Sequence, residues 1–334
     1  MISYIQKKPI NYQRIEQLLR ISEEKSHFTN NGPVKRLLEE KIAELIELPS
    51  EKKVLCVANG TAAFHALVMF YETKLGKKLS WISPSFTFAT CITNDTDMTL
   101  CDIDRWTKTF AQDQKIEQDG LIVTNLFGSK CEFDVSNYQD KIVIFDNASS
   151  FMSKFNGKNI NLYGDAAFSS LHHTKTLGFG EGGFIVLNAE DYDEVQAICG
   201  FGFKGHRIAR AASSNFKMSD PMAAFILQHI EGYNFARHYE IQDLFKRLIH
   251  LEDNCALMGW HDGIFYGNLP VIFDRPVDVQ FFRDRGIEAN KYYGPLQNDP
   301  NSNELYDLII NFPLHCDLTD EEVVYIISVI REFA

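Results

Sequence analysis

The chain has 334 residues, of which 45% are hydrophobic and 23% are charged, and its net charge is −12. This composition is typical of a globular protein with a sizeable core, and the length allows two or three domains. The acidic balance argues against a nucleic-acid binder, which needs a basic face. It does not exclude an anionic small-molecule ligand, because local donors can bind a phosphate on an acidic protein.

The sequence contains no segment typical of a membrane protein or a secreted protein. Its apolar runs are much shorter than the ~20 residues of a membrane helix, and the opening residues MISYIQKKPINYQ lack the apolar stretch of a signal peptide. The seven cysteines are scattered and form no C-x-x-C pair, which is typical of buried thiols in a reducing compartment. We therefore expect a cytoplasmic protein that binds neither a membrane nor nucleic acid.

In chain order, a helix near 15–23, which could pack on either of two domains, precedes a helical pattern at 33–48. Helical patterns also cover 61–75 and, more weakly, 86–94 and 190–199. Seven short apolar segments, bounded by Gly, Pro, Asn or Asp, predict buried strands: 54–57, 80–82, 98–102, 121–125, 141–145, 166–171 and 184–187. Strands that alternate with helices predict an α/β sheet domain.

The pattern changes after residue 219. Residues 219–251 predict one long, kinked helix, with Ser219 as its N-cap and Pro221 in its first turn. A smaller α/β region of two strands and two helices follows: 269–273, 308–312, 277–285 and the helix after the capping box at 319–322. We therefore predict a large domain over 1–235 and a small C-terminal domain over 236–334.

The stretch Asn59-Gly60-Thr61 joins the apolar strand VLCV to the helix TAAFHALVMF. Free backbone N–H groups and the positive end of the helix dipole make such a turn suitable for a phosphate, and Thr61 adds a hydroxyl. A tight turn with a threonine cap is the alternative, and this stretch alone favours that alternative.

Asp146 follows the apolar strand IVIF, at the end of a strand where the ligands of open α/β sheets lie. A buried carboxylate is costly there unless it is paired. A protonated ring nitrogen would be a suitable partner. A helix N-cap or an aspartate in a surface loop explains the residue equally well.

Lys175 lies in the stretch SLHHTKTLGFGEGG, which follows the next strand. The glycines after it allow a backbone with positive φ and close to a ligand. A desolvated lysine can form a Schiff base with an aldehyde, whereas an ordinary loop lysine is the alternative interpretation. Ser170 could reach the same phosphate as Thr61.

The adjacent pair His172-His173 suggests a metal site, but neighbouring residues on a strand point to opposite faces. No Cys/His cluster has the spacing of metal ligands, so we expect no metal. A phosphate-binding turn, an aspartate at a strand end and a lysine before glycines, in that order, match the needs of pyridoxal phosphate (PLP).

Beyond these motifs, the chain resembles the DegT/DnrJ/EryC1/StrS sugar aminotransferase family, a branch of the fold-type-I PLP enzymes. The matching stretches are TNNGPVKRLLEEKIAEL, ANGTAAFHAL, SPSFTFAT, IFDNAS, SLHHTKTLGFGEGG, SNFKMSD, KYYGPL and FPLHCDLTDEEV, which run nearly end to end. The resemblance implies a large domain with a mixed, mostly parallel seven-stranded sheet between helices, and a small C-terminal α/β domain.

The resemblance also implies roles for single residues. Lys175 is the catalytic lysine, which forms the Schiff base with the cofactor and then moves protons. Asp146 pairs with the pyridinium nitrogen, and Phe88 stacks on the ring, unless it is a core aromatic. The residues that hold the phosphate are Gly60, Thr61 and Ser170.

Further roles depend on a second subunit and on the substrate. Asn215 reaches the phosphate of the neighbouring subunit's cofactor, which implies a homodimer with shared active sites; a capping loop residue is the alternative. Tyr292 and Tyr293 contact a nucleotide sugar, or simply pack. Ser149 stands where the family often has Gln or His, which weakens its assignment as a cofactor contact.

The activity implied is that of a PLP-dependent aminotransferase. L-Glutamate converts PLP to pyridoxamine phosphate, which then aminates a nucleotide-linked keto-sugar. The form of the lysine motif resembles members that aminate C4 of a dTDP-4-keto-6-deoxyhexose, for a surface polysaccharide such as lipopolysaccharide O-antigen. Lys175 argues against the branch that has His there and dehydrates sugars. Another fold-type-I enzyme acting on amino acids, or a non-catalytic regulatory protein, are the alternatives.

Overall fold

The computed structural model describes residues 1–93, 96–104, 108–110, 115–204, 207–208, 212–249 and 254–334. The α-helices in these residues are α1 Tyr12–Glu24, α2 Pro33–Leu45, α3 Gly60–Leu75, α4 Tyr192–Cys199, α5 Asp220–Glu231, α6 Phe235–Ile249, α7 Val279–Arg283, α8 Pro300–Leu308 and α9 Asp320–Phe333. The strands are β1 Lys52–Val57, β2 Ser80–Pro84, β3 Asp97–Cys101, β4 Gly120–Thr124, β5 Ile142–Asp146, β6 Lys154–Phe155, β7 Lys158–Asn159, β8 Ala166–Ser170, β9 Gly183–Asn188, β10 Phe203–Lys204, β11 Arg207–Ile208, β12 Cys255–Leu257, β13 Leu269–Phe273 and β14 Ile309–Phe312. No helix in these described ranges is long and apolar enough to cross a membrane.

Seven strands form the central sheet, in the order β1-β9-β8-β5-β4-β2-β3. Strands β3, β2, β4, β5 and β8 run parallel to one another, whereas β9 is antiparallel to both β8 and β1. The carboxyl ends of β1, β5 and β8 therefore meet the start of β9 at one edge of the sheet. The predicted mixed, mostly parallel sheet is confirmed, and each of the seven predicted segments overlaps one of its strands.

Both faces of this sheet are covered, as the continuous apolar strands predict. On β1, Val54 and Cys56 belong to a core cluster with the apolar residues of α2 and α5. Their neighbours Leu55 and Val57 point to the other face and pack with residues of α3 and α4. Leu18 of α1 belongs to the same cluster as the apolar residues of α2 and α5, so the N-terminal helix packs with these helices beside the central sheet.

The C-terminal region contains a second sheet, in which β12, β13 and β14 are antiparallel. The predicted capping box at the start of α9 is confirmed, with reciprocal hydrogen bonds between Thr319 and Glu322. The cluster around this sheet also includes Ile2, Phe86 and Phe127 from far earlier in the chain. The division into domains near residue 235 therefore stays a prediction.

The prediction of one long helix over 219–251 is wrong, because two helices, α5 and α6, lie there. The side chain of Asn234 accepts a hydrogen bond from the backbone N–H of Arg237 at 3.0 Å. Its carbonyl accepts one from the N–H of His238 at 3.1 Å. These are the contacts of an N-cap, so a new helix begins there. Residues 250–251 lie outside the described residues.

The predicted helix at 86–94 is also wrong, because this stretch holds a single 3₁₀ turn, Ala89–Ile92. The hydroxyl of Thr93 donates to the carbonyl of Thr90 at 2.7 Å. Threonine hydroxyls that bond the local backbone compete with regular helix hydrogen bonds. Asn94 lies outside the described residues.

A buried carboxylate joins three helices beneath the sheet. Asp220, at the start of α5, accepts hydrogen bonds from the backbone N–H groups of Val34 at 3.1 Å and Lys35 at 2.9 Å. It also accepts the hydroxyl of Ser22 at 2.5 Å. A Cβ at Gly32 would lie 2.4 Å from this carboxylate. Asp220 therefore caps α2 from outside, which is possible only because residue 32 is glycine.

We expect Asp220→Ala to lower the free energy of unfolding by about 2–4 kcal/mol, because several buried donors lose their acceptor. Denaturant unfolding followed by circular dichroism measures the change. The matched control is Asp243→Ala, an exposed aspartate of α6, which should stay within about 0.5 kcal/mol of the wild type. Equal effects of the two substitutions would contradict the capping role.

Candidate active site

A cavity of about 760 Å³ opens at the edge of the central sheet where β1, β5 and β8 end. All ten site residues predicted from the sequence line it: Gly60, Thr61, Phe88, Asp146, Ser149, Ser170, Lys175, Asn215, Tyr292 and Tyr293. The fold therefore brings together motifs that are far apart in the chain. The role of each residue stays a prediction.

The turn between β1 and α3 has the geometry of an anion site. The side chain of Asn59 caps α3 by accepting the N–H of Ala62 at 2.8 Å. Thr61 is therefore not the cap, and its hydroxyl lies 3.1 Å from that of Thr90 at the cavity wall. The positive end of the α3 dipole and a hydroxyl at the cavity wall suit a phosphate.

Two glycines allow the chain segments around this turn to approach each other closely. A Cβ at Gly60 would lie 3.2 Å from the Cβ of Ser170, so the end of β8 packs directly against the start of α3. A Cβ at Gly183 would lie 2.4 Å from the carbonyl carbon of Asn59. Glycine at the start of β9 is thus required for the turn to occupy this place.

Asp146 is the last residue of β5, and its side chain is buried at the cavity wall. Its Oδ1 accepts a hydrogen bond from the N–H of Ala148 at 2.9 Å. Burial raises the pKa of this carboxyl to about 6, although the Ala148 N–H and the charge of Lys175 lower it. A surface-loop aspartate is therefore the wrong interpretation, and the ionised form needs a cationic partner.

Lys175 sits in a tightly closed turn after β8. Its N–H donates to the carbonyl of His172 at 2.8 Å, and its carbonyl accepts the N–H of Gly178 at 3.0 Å. A Cβ at Gly178 would lie 2.1 Å from the carbonyl oxygen of His172. Gly180 has φ of +59°, where other residues are strained. The glycines are thus needed for the turn that places Lys175 at the cavity.

The two histidines of the lysine motif have different neighbours. His172 lies at the cavity mouth, with Nδ1 2.9 Å from the hydroxyl of Thr174 and Nε2 3.6 Å from Glu181. His173 packs edge-on against Phe179. Within the described part of the chain, no group of three or more His, Cys, Asp or Glu residues could hold a metal ion.

Aromatic rings form the wall of the cavity on the side of the C-terminal region. Tyr293 stacks on Phe127, with 5.6 Å between ring centroids, and meets Phe88 edge-on. Its hydroxyl lies 3.0 Å from the hydroxyl of Ser149. Phe88 is 59% exposed, so it is not a core aromatic. Tyr293 therefore packs against other aromatic rings and also lines the cavity.

Asn215 lines the cavity of its own chain. It pairs with Gly200 in an isolated bridge, and the carbonyl of Phe216 accepts the N–H of Ala58 at 2.8 Å. The N-cap of α5 is Ser219, so Asn215 does not cap that helix. The contact of Asn215 with a neighbouring subunit's cofactor stays a prediction.

The cavity is also lined by residues that the sequence did not mark as site residues, among them Tyr4, His65 and Asn268. His65 lies one helical turn after Thr61, so helical spacing could have found it; its Nε2 is 2.8 Å from the hydroxyl of Thr93. Tyr4 and Asn268 lie in no motif. The buried Oδ1 of Asn268 has no hydrogen-bond partner among the described residues.

Residues 9–331 match the model of the DegT/DnrJ/EryC1/StrS aminotransferase family. The chain belongs to this family. It is 25% identical over 353 residues to a dTDP-4-amino-4,6-dideoxy-D-glucose transaminase of Shigella dysenteriae, with 94% of each chain covered. It is 27% identical over 314 residues to a GDP-perosamine synthase of Escherichia coli O157:H7, covering 83% of this chain and 84% of that protein. The solved structure of DesI with its TDP-sugar product superimposes with a TM-score of 0.84 at 21% identity, covering 99% and 92% of the two chains.

The family members are PLP-dependent aminotransferases, and so is this chain. The residues present fit that cofactor. The buried carboxylate of Asp146 needs a cation, which a protonated ring nitrogen supplies. The start of α3 suits the phosphate, and Lys175 provides an amine in the same cavity.

We expect Asp146→Asn to stabilise the cofactor-free protein at pH 7.5 but not at pH 4. The folded pKa is about 6, above the unfolded value, so the folded state binds the extra proton between pH 4 and 6. Stability is therefore lost as the pH rises through this range, by at most about 3 kcal/mol. The side-chain amide in Asp146→Asn has no charge to bury, and its oxygen can still accept the hydrogen bond from the Ala148 N–H.

Denaturant unfolding of the cofactor-free proteins at both pH values measures this difference. Asp262→Asn, at an exposed aspartate, is the control and should show the same stability difference from wild type at each pH. A constant difference for Asp146→Asn across the two pH values would contradict a raised pKa at Asp146.

Proposed function

We propose that the chain is a nucleotide-sugar aminotransferase, which transfers the amino group of L-glutamate to a nucleotide-linked keto-deoxy-sugar. The observation that carries this proposal is the convergence of Lys175, Asp146 and the start of α3 on one cavity. Tyr292 and Tyr293, from the C-terminal region, also line the cavity. It has the size of a small-molecule site.

Within this proposal, the cofactor is held at three points. The N–H groups at the start of α3, with the hydroxyls of Thr61 and Ser170, bind its phosphate. Asp146 stays ionised beside the ring nitrogen, because a cation next to the carboxylate lowers its pKa again. Phe88, exposed at the cavity, provides an aromatic face for the ring. Ser149 orients Tyr293 through their hydroxyl contact.

When bound, the cofactor supplies an electron sink for the carbon that loses a proton and carries the amino group between substrates. The proton itself is moved by the chain. The Lys175 amine would take the proton, as a general base, from the carbon that bears the donor's amino group, and would then give that proton, as a general acid, to the carbon on the other side of the nitrogen. The tight turn around Lys175 keeps its backbone in place during both transfers.

The names of the relatives support the choice of substrate. One acts as a dTDP-4-amino-4,6-dideoxy-D-glucose transaminase, which supports amination at C4 of a dTDP-4-keto-6-deoxyhexose. A second is a GDP-perosamine synthase, so GDP-linked sugars belong in the test as well. The product would supply a surface polysaccharide or glycan such as lipopolysaccharide O-antigen, and the reaction would take place in the cytoplasm.

The proposal includes a homodimer with shared active sites. Phe88 lines the cavity and is exposed. Exposed Ile92 precedes the lining residue Thr93, and the N–H of exposed Phe201 donates to the carbonyl of Ser214, next to the lining residue Asn215. Exposed apolar residues that cluster near a site are typical of a surface covered by another chain. A second subunit over this mouth would bring its own Asn215 toward the phosphate turn, as the family resemblance implies.

The first test is the absorption spectrum of the purified protein with PLP. The wild type should develop a visible band from cofactor bound to Lys175, and L-glutamate should replace it by the band of pyridoxamine phosphate. Lys175→Ala should lose the native band and lower turnover by at least about 10³-fold, because it removes the group that transfers the proton.

Lys25→Ala, at an exposed lysine of the chain, is the matched control and should behave as the wild type. If the wild type binds neither PLP nor pyridoxamine phosphate, the non-catalytic alternative replaces the proposal.

The second test is a panel of amino acceptors with L-glutamate as donor. We expect the highest kcat/KM with dTDP-4-keto-6-deoxyhexoses, exceeding 2-oxo acids by at least about 10²-fold, because a site built for hydroxyls rejects ligands that leave its polar groups unpaired. GDP- and UDP-linked 4-keto-sugars and a 3-keto-sugar complete the panel. Transfer only to 2-oxo acids would favour an enzyme acting on amino acids.

A further inference from the structure

The first residues of the chain connect the C-terminal region to the turn that carries Lys175. At one end, the N–H of Ile2 donates to the carbonyl of Gly286 at 2.7 Å, and the N–H of Glu288 donates to the carbonyl of Ile2 at 3.0 Å. Further along, the N–H of Lys7 donates to the carboxylate of Asp317 at 3.0 Å. We call residues 2–8 the N-terminal segment; its path is fixed before it reaches Lys8.

The side chain of Lys8 ends on the backbone of the lysine turn. Its Nζ donates to the carbonyl of Lys175 at 2.6 Å and also to the carbonyl of Gly178. These two carbonyls lie at either end of the turn that the Gly178 N–H closes onto Lys175. One ammonium group thus holds both ends of the turn together.

Thr176, which lies between these two residues in the chain, is also held by side chains and backbone from elsewhere in the molecule. The carbonyl of Thr176 lies 2.9 Å from Nε2 of His229, on α5, and 3.4 Å from Nε2 of Gln6. The hydroxyl of Thr176 donates to the carbonyl of Gly267 at 3.0 Å. The side chains that bond the backbone of the turn, those of Lys8, Gln6 and His229, are not among the residues that line the cavity, whereas Lys175 is.

The environment of Lys8 is unfavourable for a lysine that has no such contact. Burial lowers the pKa of the Lys8 ammonium to about 7, because it removes water from the charged form. The adjacent Lys7 side chain is exposed, which is the usual place for lysine. Both the ammonium and the neutral amine of Lys8 carry at least two hydrogens, so either form can donate to both carbonyls.

We propose that Lys8 is a positioning residue for Lys175: its Nζ holds the carbonyls of Lys175 and Gly178, and so fixes the backbone from which the reactive amine projects. Lys8 does not touch the reacting atoms and acts only through the turn. The inference rests on the proposed role of Lys175 as the cofactor-binding lysine, but the contact itself exists in the chain without cofactor.

The first arm of the test uses the cofactor-free protein and hydrogen–deuterium exchange with mass spectrometry. Lys8→Met keeps the apolar stem and removes the donors. We expect amides in peptides covering 172–180 to exchange at least about 10-fold faster in this variant, because the turn opens more often. Lys7→Met is the matched control and should exchange as the wild type. Lys8→Arg, which keeps a charged donor, should recover at least half of the lost protection.

The second arm uses the protein with PLP bound and measures two quantities other than turnover: the affinity for PLP and the pH midpoint of the visible absorption band. We expect Lys8→Met to weaken PLP binding about 10-fold, since the turn must be ordered on binding, and to shift the pH midpoint of the visible band. In both quantities, Lys8→Arg should lie closer to the wild type than Lys8→Met does, and Lys7→Met should match the wild type.

The inference would be overturned if the amides at 172–180 exchanged in Lys8→Met at the wild-type rate. It would also be overturned if Lys7→Met, or Lys8→Arg, raised the exchange rate as much as Lys8→Met does. Failure of the proposed function is seen separately, because the wild type would then bind no cofactor while the exchange data still report on the contact. Normal cofactor spectra in the wild type with unaltered exchange in Lys8→Met would leave the proposed function intact and reject the role of Lys8.

Discussion

The buried carboxylate of Asp146 is the constraint around which the site is arranged. It ends β5, a strand in the middle of the central sheet, with β4 on one side and β8 on the other. Parallel neighbours carry the chain to the same edge, so β8 and the lysine turn that follows it open onto the same cavity. Burial raises the pKa of Asp146, and this cost in the protein alone becomes a favourable interaction when a cation lies beside the carboxylate.

The side of the cavity that is proposed to hold the cofactor's phosphate is formed by close approach of backbone segments rather than by charged side chains. Gly60 lets the end of β8 reach the start of α3, and Gly183 lets β9 begin against Asn59. A helix start that is open to a cavity binds an anion through its N–H groups and dipole. An acidic protein can thus bind a phosphate locally, in agreement with the interpretation of its net charge of −12.

Much of the sheet could be predicted because strands covered on both faces are continuous apolar runs that end at Gly, Pro, Asn or Asp. The two helices that were wrongly predicted are segments in which one side chain overrides the apolar periodicity. At 86–94, the Thr90–Thr93 contact competes with the helix, and at 219–251, Asn234 starts a new helix within an apolar pattern. Short-range periodicity does not register a single side chain that caps or competes with the backbone. The helix α8 has only a weak apolar pattern, so periodicity does not predict it either.

The sequence by itself determined the chemical groups of the site and their order: a glycine-threonine turn, an aspartate at a strand end and a lysine before glycines. These features are local, because each is a short motif beside one strand. Only the tertiary structure decided that the motifs share one cavity and that Tyr4, His65 and Asn268 join them. It also placed Lys8 on the lysine turn. Such contacts join residues far apart in the chain, and packing of whole strands and helices, rather than local residue pattern, sets their distances.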